Sequence, residues 1–211
     1  MPRGVFITFE GGEGTGKSTQ IRRLAAWLES HGREAVVTRE PGGTPVAEAA
    51  RSILLDPGQA PDGLTELFLL EAARHDHTER LIRPALARGA VVLCDRYADS
   101  STVYQGLVRG LGREVVEGLN ALATGGLEPD RTILLDLEAV AGVARARARN
   151  AGGDGRECRL DDEPAQFHRR VRLGFRELAA DHAERFRLVD GSGDEEAVFA
   201  RVLAALAGML P

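Results

Sequence analysis

The sequence predicts an α/β fold in which a parallel β-sheet is covered by helices on both faces. Short apolar runs alternate with longer stretches whose apolar residues recur three and four positions apart. This alternation is typical of strands joined by helical crossovers. A glycine-rich segment links the first apolar run to the first helical stretch. The 211 residues suffice for one well-cored domain, so we expect a single domain over residues 1–211.

The predicted strands are short and apolar, as expected for strands that are buried on both faces. They are Val5–Phe9, Ala35–Thr38, Val91–Cys94, Thr132–Leu137 and Phe186–Val189. The predicted helices cover about 17–31, 46–55, 64–88, 97–108, 113–124, 138–149, 163–183 and 195–209. Glycines at 152, 153 and 155 precede a charged stretch that has too little apolar content for a core, so we expect a mobile lid at about 149–162.

Composition and charge exclude several classes of protein. The net charge of −5 argues against nonspecific binding to long nucleic acids, because such binding needs a broad cationic surface. No apolar run approaches the ~18 residues of a membrane span, and the N-terminus lacks the pattern of a secretory signal. A cytoplasmic location is therefore expected. Cys94 and Cys158 have neither CxxC spacing nor a nearby histidine cluster, so we expect no disulfide framework and no zinc site.

The glycine-rich segment matches the phosphate-binding motif G-x-x-x-x-G-K-[ST] in full. Its residues are Gly11, Gly12, Glu13, Gly14, Thr15, Gly16, Lys17 and Ser18, and Thr19 completes the predicted nucleotide-binding stretch. Glycines let consecutive backbone N–H groups converge on one anion, and the helix that begins near Lys17 adds its positive end. We expect Lys17 to bridge the β- and γ-phosphates of ATP and Ser18 to offer its hydroxyl to Mg²⁺. The alternative is a glycine-rich turn that fits the pattern by chance.

Four further segments narrow the class of nucleotide-binding protein. They are Thr38-Arg39-Glu40-Pro41-Gly42-Gly43-Thr44, Ala72-Ala73-Arg74, Asp95-Arg96-Tyr97, and Ser100-Ser101 followed by Tyr104-Gln105-Gly106. Together with the phosphate loop, this ordered set resembles bacterial thymidylate kinase from Phe6 to about Leu178. The resemblance implies transfer of the ATP γ-phosphate to dTMP, giving dTDP and ADP. It also implies a three-layer P-loop kinase fold with a five-stranded parallel sheet and a short arginine-containing lid, and a homodimer that acts on the small-molecule nucleotides ATP and dTMP.

The resemblance assigns roles around the acceptor phosphate. Asp95 and Arg96 end a predicted strand at its carboxyl end, where ligands bind in open α/β sheets. Arg96 would bind the acceptor phosphate and Asp95 would hold a water on Mg²⁺. A buried structural ion pair is the alternative for these two. Glu40 resembles a carboxylate near the acceptor phosphate and magnesium, Arg51 resembles a substrate-pocket arginine, and Glu13 would reach the acceptor sugar's 3′-hydroxyl. A surface salt bridge is the alternative for Glu40 and Arg51.

A second group of residues resembles the base and sugar contacts of the family. Arg74 would hydrogen-bond the thymine edge, where a solvated helix arginine is the alternative. Ser101 and Gln105 lie four apart, on one helical face, and resemble base-contacting positions. Tyr104 would lie near the deoxyribose, where its ring could exclude a 2′-hydroxyl. Leu70 departs from the family, which commonly has an aromatic residue here, so either Leu70 packs on the base or specificity is weakened.

Three lid arginines complete the predicted catalytic set. Family members without an arginine in the phosphate loop carry basic residues in the lid, and this chain has Arg149, Arg156 and Arg159 there. One or more would contact the transferred phosphoryl group. We favour Arg159, because Cys158-Arg159 replaces the family's Asp-Arg pair.

Two other functions compete with phosphorylation of dTMP. A kinase for a different nucleoside or nucleotide would explain Leu70, and a non-enzymatic ATP sensor would explain the loop alone. A GTPase is excluded, because Lys17 is the only lysine and a guanine-reading N-K-x-D motif therefore cannot occur. A sensor would be expected to have lost Lys17, Arg96 or the lid arginines, but this chain retains all of them.

Overall fold

Five parallel strands form one sheet in the order β2-β3-β1-β4-β5. The computed structural model describes residues 3–56, 58–59, 61–149 and 163–210. The strands are β1 (Val5–Glu10), β2 (Ala35–Arg39), β3 (Val91–Asp95), β4 (Arg131–Asp136) and β5 (Phe186–Asp190). The central strand β1 pairs with β3 from Val5 opposite Val91 and with β4 from Ile7 opposite Arg131. The carboxyl ends of β1 and β3 are therefore neighbours.

The helices begin and end close to the predicted positions. They are α1 (Lys17–Ser30), α2 (Pro45–Leu55), α3 (Gly63–His77), α4 (Arg83–Ala87), α5 (Ala98–Ser101), α6 (Arg113–Thr124), α7 (Ala139–Arg149), α8 (Ala165–Asp181) and α9 (Glu195–Ala205). A π-helical segment joins α3 to α4 at Thr78–Ile82, and a second follows α5 at Thr102–Val108. Such wider turns occur often at functional sites.

Alternate residues of the central strands supply the two sides of the core. Ile7 and Phe9 of β1 pack in a cluster with α1 and α9, whereas Phe6 packs on the opposite face of the sheet. This arrangement follows from the two-residue period of a strand. It gives the three layers that the alternating pattern predicts, and the predicted α/β class with its five-stranded parallel sheet is confirmed. No helix within the described ranges is both long and apolar enough to cross a membrane.

Small differences from the predicted boundaries concern polar residues at strand ends. Four strands continue one residue beyond the predicted apolar run and end at Glu10, Arg39, Asp95 and Asp190, whereas β4 begins and ends one residue earlier than predicted. A count of apolar residues stops one position early, because parallel pairing continues as far as the backbone stays extended. The predicted helix at 64–88 is also not uniform, since Pro84 at the start of α4 has no N–H to donate to the preceding turn.

Candidate active site at the carboxyl end of the sheet

The phosphate loop connects β1 to α1 and is shaped by glycines. Gly14 has a φ of 67° and Gly16, before the first turn of α1, has a φ of 92°. A Cβ at Gly14 would lie 1.9 Å from the carbonyl oxygen of Gly142 on α7. The loop therefore needs glycine at position 14 both for its backbone conformation and for contact with the helix that leads into the lid.

Lys17 folds back over the loop. Its Nζ donates to the carbonyl oxygens of Gly11 and Gly12 at 3.2 and 2.9 Å. Burial, together with nearby Arg96, lowers the pKa of Lys17. The ammonium group is therefore held beside the loop by weak backbone acceptors that a phosphate oxygen would outcompete. Thr19 follows as a half-buried residue of α1.

The two predicted magnesium-binding residues are in direct contact. Ser18 Oγ donates to Asp95 Oδ2 at 2.6 Å at an exposed position. Among the described residues there is no group of three or more His, Cys, Asp or Glu side chains that could enclose a metal. One carboxylate and one hydroxyl suit Mg²⁺, because this ion usually keeps several waters and takes further oxygens from phosphates. The donor chemistry therefore fits the predicted ion.

Arg96 joins the phosphate loop to the neighbouring pocket. Its φ of 67° is left-handed, which is uncommon for a residue with a side chain and occurs preferentially at functional sites. Its guanidinium donates to the Gly11 carbonyl at 3.1 Å, to Ser100 Oγ at 3.2 Å and to Glu13 Oε1 at 2.6 Å. The carboxylate partner of Arg96 is Glu13 and not Asp95, so an ion pair does form at this strand end, but it joins Arg96 to the phosphate loop.

Glu13 is a half-buried carboxylate held by two groups, Arg96 after β3 and Tyr104 in the second π-helical segment. Tyr104 Oη donates to Glu13 Oε1 at 3.1 Å, and Arg96 binds the same oxygen. Burial alone would raise the pKa of Glu13, but Arg96 and Lys17 together lower it below its usual value. The loop carboxylate is therefore charged and bonded to Arg96 and Tyr104, which both line the neighbouring pocket.

Beside Arg96 lies a pocket with about 430 Å³ of open space. Its lining includes Tyr104 and every residue predicted to contact the base, but not Glu13, which was predicted to reach the sugar. The lining residues are Glu40, Pro41, Leu70, Arg74, Arg96, Tyr97, Ser100, Ser101, Tyr104 and Gln105. These residues come from the end of β2, from α3, and from the stretch after β3. The structure thus brings together residues that are far apart in the sequence, and we call this space the acceptor pocket.

Arg74 lines the acceptor pocket and is only 2% exposed, so the alternative of a solvated helix arginine is wrong. Each of its guanidinium nitrogens has a partner at 2.6–3.4 Å, and these partners are Glu40, Glu71, Asn120, the Tyr97 carbonyl and Ser101. Burial opposes the charge, but Glu40 and Glu71 raise the pKa of Arg74 above its usual value. The longest of these bonds, 3.4 Å to the Tyr97 carbonyl, is the one that a ligand would most easily replace.

Glu40 lines the same pocket, and Arg51 contacts it through the Pro41 carbonyl. Glu40 is 6% exposed and binds Arg74 Nε at 2.8 Å and His77 Nδ1 at 2.9 Å, so it is not part of a surface salt bridge. Arg51 is half-buried on α2 and donates to the Pro41 carbonyl at 2.9 Å. Glu40 therefore supports the arginine of the pocket through one oxygen and a buried histidine through the other.

Several supporting residues were missed by the sequence analysis. Glu10, at the buried end of β1, accepts from the Tyr97 amide at 2.8 Å and from Ser100 Oγ at 2.7 Å. Burial, followed by the nearby Asp99, raises the pKa of Glu10 to about 8. An acidic residue directly after an apolar strand and before the motif was an available signal. For Glu66, Glu71, Asn120 and His77, no pattern in the sequence indicated a role.

The lid prediction concerns a part of the chain that is not described. Arg156 and Arg159 lie outside the described residues, as does Cys158. Arg149 ends α7, and its side chain is likewise not described. Cys94 is buried and free, and burial raises the pKa of its thiol.

A phosphate loop after the first strand of a parallel sheet, joined by Arg96 to a neighbouring pocket, is the arrangement of a P-loop kinase of small molecules. Residues 9–202 match the family model described as thymidylate kinase. Curated thymidylate kinases from Desulfosudis oleivorans and Geobacter sulfurreducens are each 50% identical to the chain. The first match covers 96% of both chains and the second 99% of both. The crystal structure of thymidylate kinase from Ehrlichia chaffeensis superposes with a TM-score of 0.77 at 32% identity, covering 97% of this chain and 99% of that chain.

The chain therefore belongs to the thymidylate kinase family, whose known activity converts dTMP to dTDP. The family resemblance seen in the motifs is confirmed, and so is the expectation of an enzyme. The proposal of an ATP sensor without catalysis is not supported.

Proposed function

We propose that this chain transfers the γ-phosphoryl group of ATP to dTMP across the contact between the phosphate loop and the acceptor pocket. The observation that carries the proposal is the position of Arg96, which bonds the loop through Gly11 and lines the pocket. A guanidinium at this boundary stabilises charge that develops between donor and acceptor. Transfer is in line and needs positioning and electrostatics rather than a covalent enzyme intermediate.

On the donor side, the loop N–H groups and Lys17 bind the phosphates of ATP. Lys17 exchanges its backbone acceptors, Gly11 and Gly12, for phosphate oxygens. Ser18 and Asp95 would hold Mg²⁺, which when bound neutralises phosphate charge. Their 2.6 Å contact brings the two oxygens to one point beside the loop and supports this assignment.

On the acceptor side, Arg96 binds the phosphate of dTMP and Glu13 accepts a hydrogen bond from the 3′-hydroxyl of the sugar. Tyr104 packs beside the deoxyribose, and its contact with Glu13 supports this assignment because both sugar-directed groups meet there. Arg74, Ser101 and Gln105 face the base, with Leu70 packing on it. Glu40 supports these residues by its bond to Arg74, and Arg51 supports the Pro41 turn by its bond to the Pro41 carbonyl.

The lid supplies the remaining positive charge. Of Arg149, Arg156 and Arg159, we propose that Arg159 contacts the transferred phosphoryl group, since the phosphate loop itself contains no arginine. The support is the sequence alone, because these side chains are outside the described part of the chain.

We also infer a homodimer that acts in the cytoplasm, where its nucleotide substrates are found. Exposed apolar side chains lie on three helices that pack side by side, with α3 between α2 and α6. They are Val46, Ile53, Leu64, Phe68, Val115 and Leu122. Apolar side chains on adjacent helices suit a self-complementary interface. Light scattering should give twice the 22.7 kDa of one chain, and a monomeric mass at assay concentrations would contradict the dimer.

The decisive experiment is a coupled ADP-release assay with ATP, Mg²⁺ and a panel of dTMP, dUMP, dCMP and thymidine. The expected result is the highest kcat/KM for dTMP, with activity lost in Lys17→Ala as the control for a contaminating kinase. Efficient turnover of another acceptor without turnover of dTMP would contradict the proposal.

A further inference from the structure

Two helical segments face each other across the acceptor pocket in matched positions. Glu66, Leu70 and Arg74 lie four residues apart along one face of α3. Opposite them, Ser101 bonds Arg74 at 3.0 Å and Gln105 bonds Glu66 at 2.6 Å. The side chain of Leu70 lies between these two polar contacts and lines the pocket. The first contact supports the arginine of the pocket, and the second has no role in the function proposed above.

In the contact between Glu66 and Gln105, the donor and the acceptor are defined. It uses Nε2 of Gln105 and Oε1 of Glu66, and both residues are more than nine-tenths buried. A carboxylate offers only acceptors, whereas an amide offers a donor nitrogen and an acceptor oxygen. An amide whose oxygen faced the carboxylate would bring two acceptors together and leave both unsatisfied in a buried place. Glu66 therefore permits only one of the two amide orientations.

Arg109 supplies the balancing positive charge. Its Nε lies 3.2 Å from the same Glu66 oxygen, and its Nη2 lies 3.9 Å from Glu163, which precedes α8. Glu66 also lies near the N-terminus of α3, where the helix dipole favours a negative charge. The carboxylate is thus supported from two directions.

We propose that Glu66 is a positioning residue that sets the base specificity of the acceptor pocket by fixing the Gln105 amide. With Nε2 bonded to Glu66, the oxygen on the other arm of the amide faces away from Glu66 and is the acceptor that Gln105 offers to the base. An acceptor at this place suits thymine or uracil, whose N3–H is a donor, and opposes cytosine, whose N3 is an acceptor. This inference rests on the proposed function, because it assumes that Gln105 contacts the base.

The test is Glu66→Gln in the full chain, measured as kcat/KM for dTMP, dCMP and dUMP with ATP and Mg²⁺. A glutamine at position 66 pairs with Gln105 in either amide orientation, so Gln105 becomes free to offer its N–H to cytosine. The dTMP-to-dCMP ratio should fall at least ~10-fold. The dTMP-to-dUMP ratio should stay the same, since both bases carry N3–H. Glu79→Gln, an isosteric change of an exposed glutamate that pairs with Arg83, is the matched control and should change neither ratio.

An exchange of the two residues gives a second measurement that does not depend on the stability of Glu66→Gln. In the double variant Glu66→Gln/Gln105→Glu, the amide introduced on α3 donates to the carboxylate introduced opposite it, and that carboxylate can offer the base only acceptors. The dTMP-to-dCMP ratio of this variant should return to within about threefold of wild type, as expected when the acceptor is restored.

The two proposals fail in different ways. A merely structural role for Glu66 would leave the dTMP-to-dCMP ratio unchanged in Glu66→Gln, or would lower it together with the dTMP-to-dUMP ratio, and either result would overturn the inference. A low ratio in the double variant would overturn it as well. An inactive wild-type chain with dTMP would instead overturn the proposed function, and the inference with it.

Discussion

The phosphate loop and the acceptor pocket meet at Arg96, but backbone groups form the loop and side chains form the pocket. Consecutive backbone groups of Gly11 to Ser18 form the loop, and its shape depends on positive φ angles and on close contact between Gly14 and Gly142. Side chains from three separate stretches form the pocket, and a buried network around Arg74 holds them. A loop of this kind recognises any polyphosphate, whereas a wall of fixed donors and acceptors distinguishes one base from another.

The largest effect is expected where the two regions join. Arg96→Ala removes charge stabilisation and also releases Glu13, so kcat/KM should fall at least ~10² for both ATP and dTMP. Steady-state kinetics with each substrate varied in turn measures this. Arg88→Ala, which removes an exposed partner of Glu34, should match wild type. A loss confined to one substrate would assign Arg96 to one region only.

A backbone substitution tests the loop alone. In Gly14→Ala, the new Cβ would lie 1.9 Å from the Gly142 carbonyl oxygen, at a φ of 67°. The loop must shift, so the KM for ATP should rise at least ~10-fold, with a smaller change for dTMP. In Gly12→Ala the added Cβ meets no atom within 4 Å, so its effect should be the smaller. Equal effects of the two variants would remove the steric explanation.

A side-chain substitution tests the sugar end of the pocket. Tyr104→Ala removes the ring proposed to exclude a 2′-hydroxyl, so the preference for the deoxyribonucleotide over the ribonucleotide should fall about tenfold. Tyr104→Phe keeps the ring and loses only the bond to Glu13, so its preference should stay near that of wild type. If Tyr104→Ala keeps the wild-type preference, another residue selects the sugar.

The apolar centre of the pocket wall gives a smaller effect. Leu70→Phe provides the aromatic surface that the family commonly has here, and the KM for dTMP should fall about threefold because stacking adds ~0.5–1.5 kcal/mol. The KM for ATP should not change. Leu173→Phe, at a position on α8 that is 65% exposed, is the control. A higher KM in Leu70→Phe would mean that the pocket is shaped around leucine.

The pH dependence of stability tests Glu10, which precedes the loop and bonds the acceptor side. Its pKa is about 8 when folded and near 4.5 when unfolded. Between about pH 4.5 and pH 8, Glu10 therefore keeps its proton in the folded state and has lost it in the unfolded state. This contribution stabilises the fold below about pH 4.5 and disappears as the pH rises through about 8. The free energy of unfolding should thus fall less steeply over this range in Glu10→Gln than in wild type, as measured by urea denaturation. Equal slopes would contradict the raised pKa.

The contrast between a contiguous loop and a pocket formed by distant side chains explains which site residues the sequence could predict. The loop was predicted residue by residue, because a contiguous motif specifies its own geometry. Arg74 and Gln105 were found only through the family resemblance, and Glu66, Glu71 and Asn120 were not found at all. Buried charges on helices resemble solvated ones in a sequence, since nothing local records whether a partner lies across the pocket.

By itself, the sequence determined the parallel α/β fold, the phosphate loop and the motif set of the thymidylate kinase family. Periodicity and contiguous motifs are local properties, and they remain visible in one dimension. The tertiary structure alone decided that Arg96 pairs with Glu13 rather than Asp95, that Arg74 is buried with its guanidinium nitrogens engaged, and that Gln105 is held by Glu66. These contacts join residues separated by 34 to 83 positions. Only folding brings such residues within hydrogen-bonding distance and removes the water that would otherwise satisfy them.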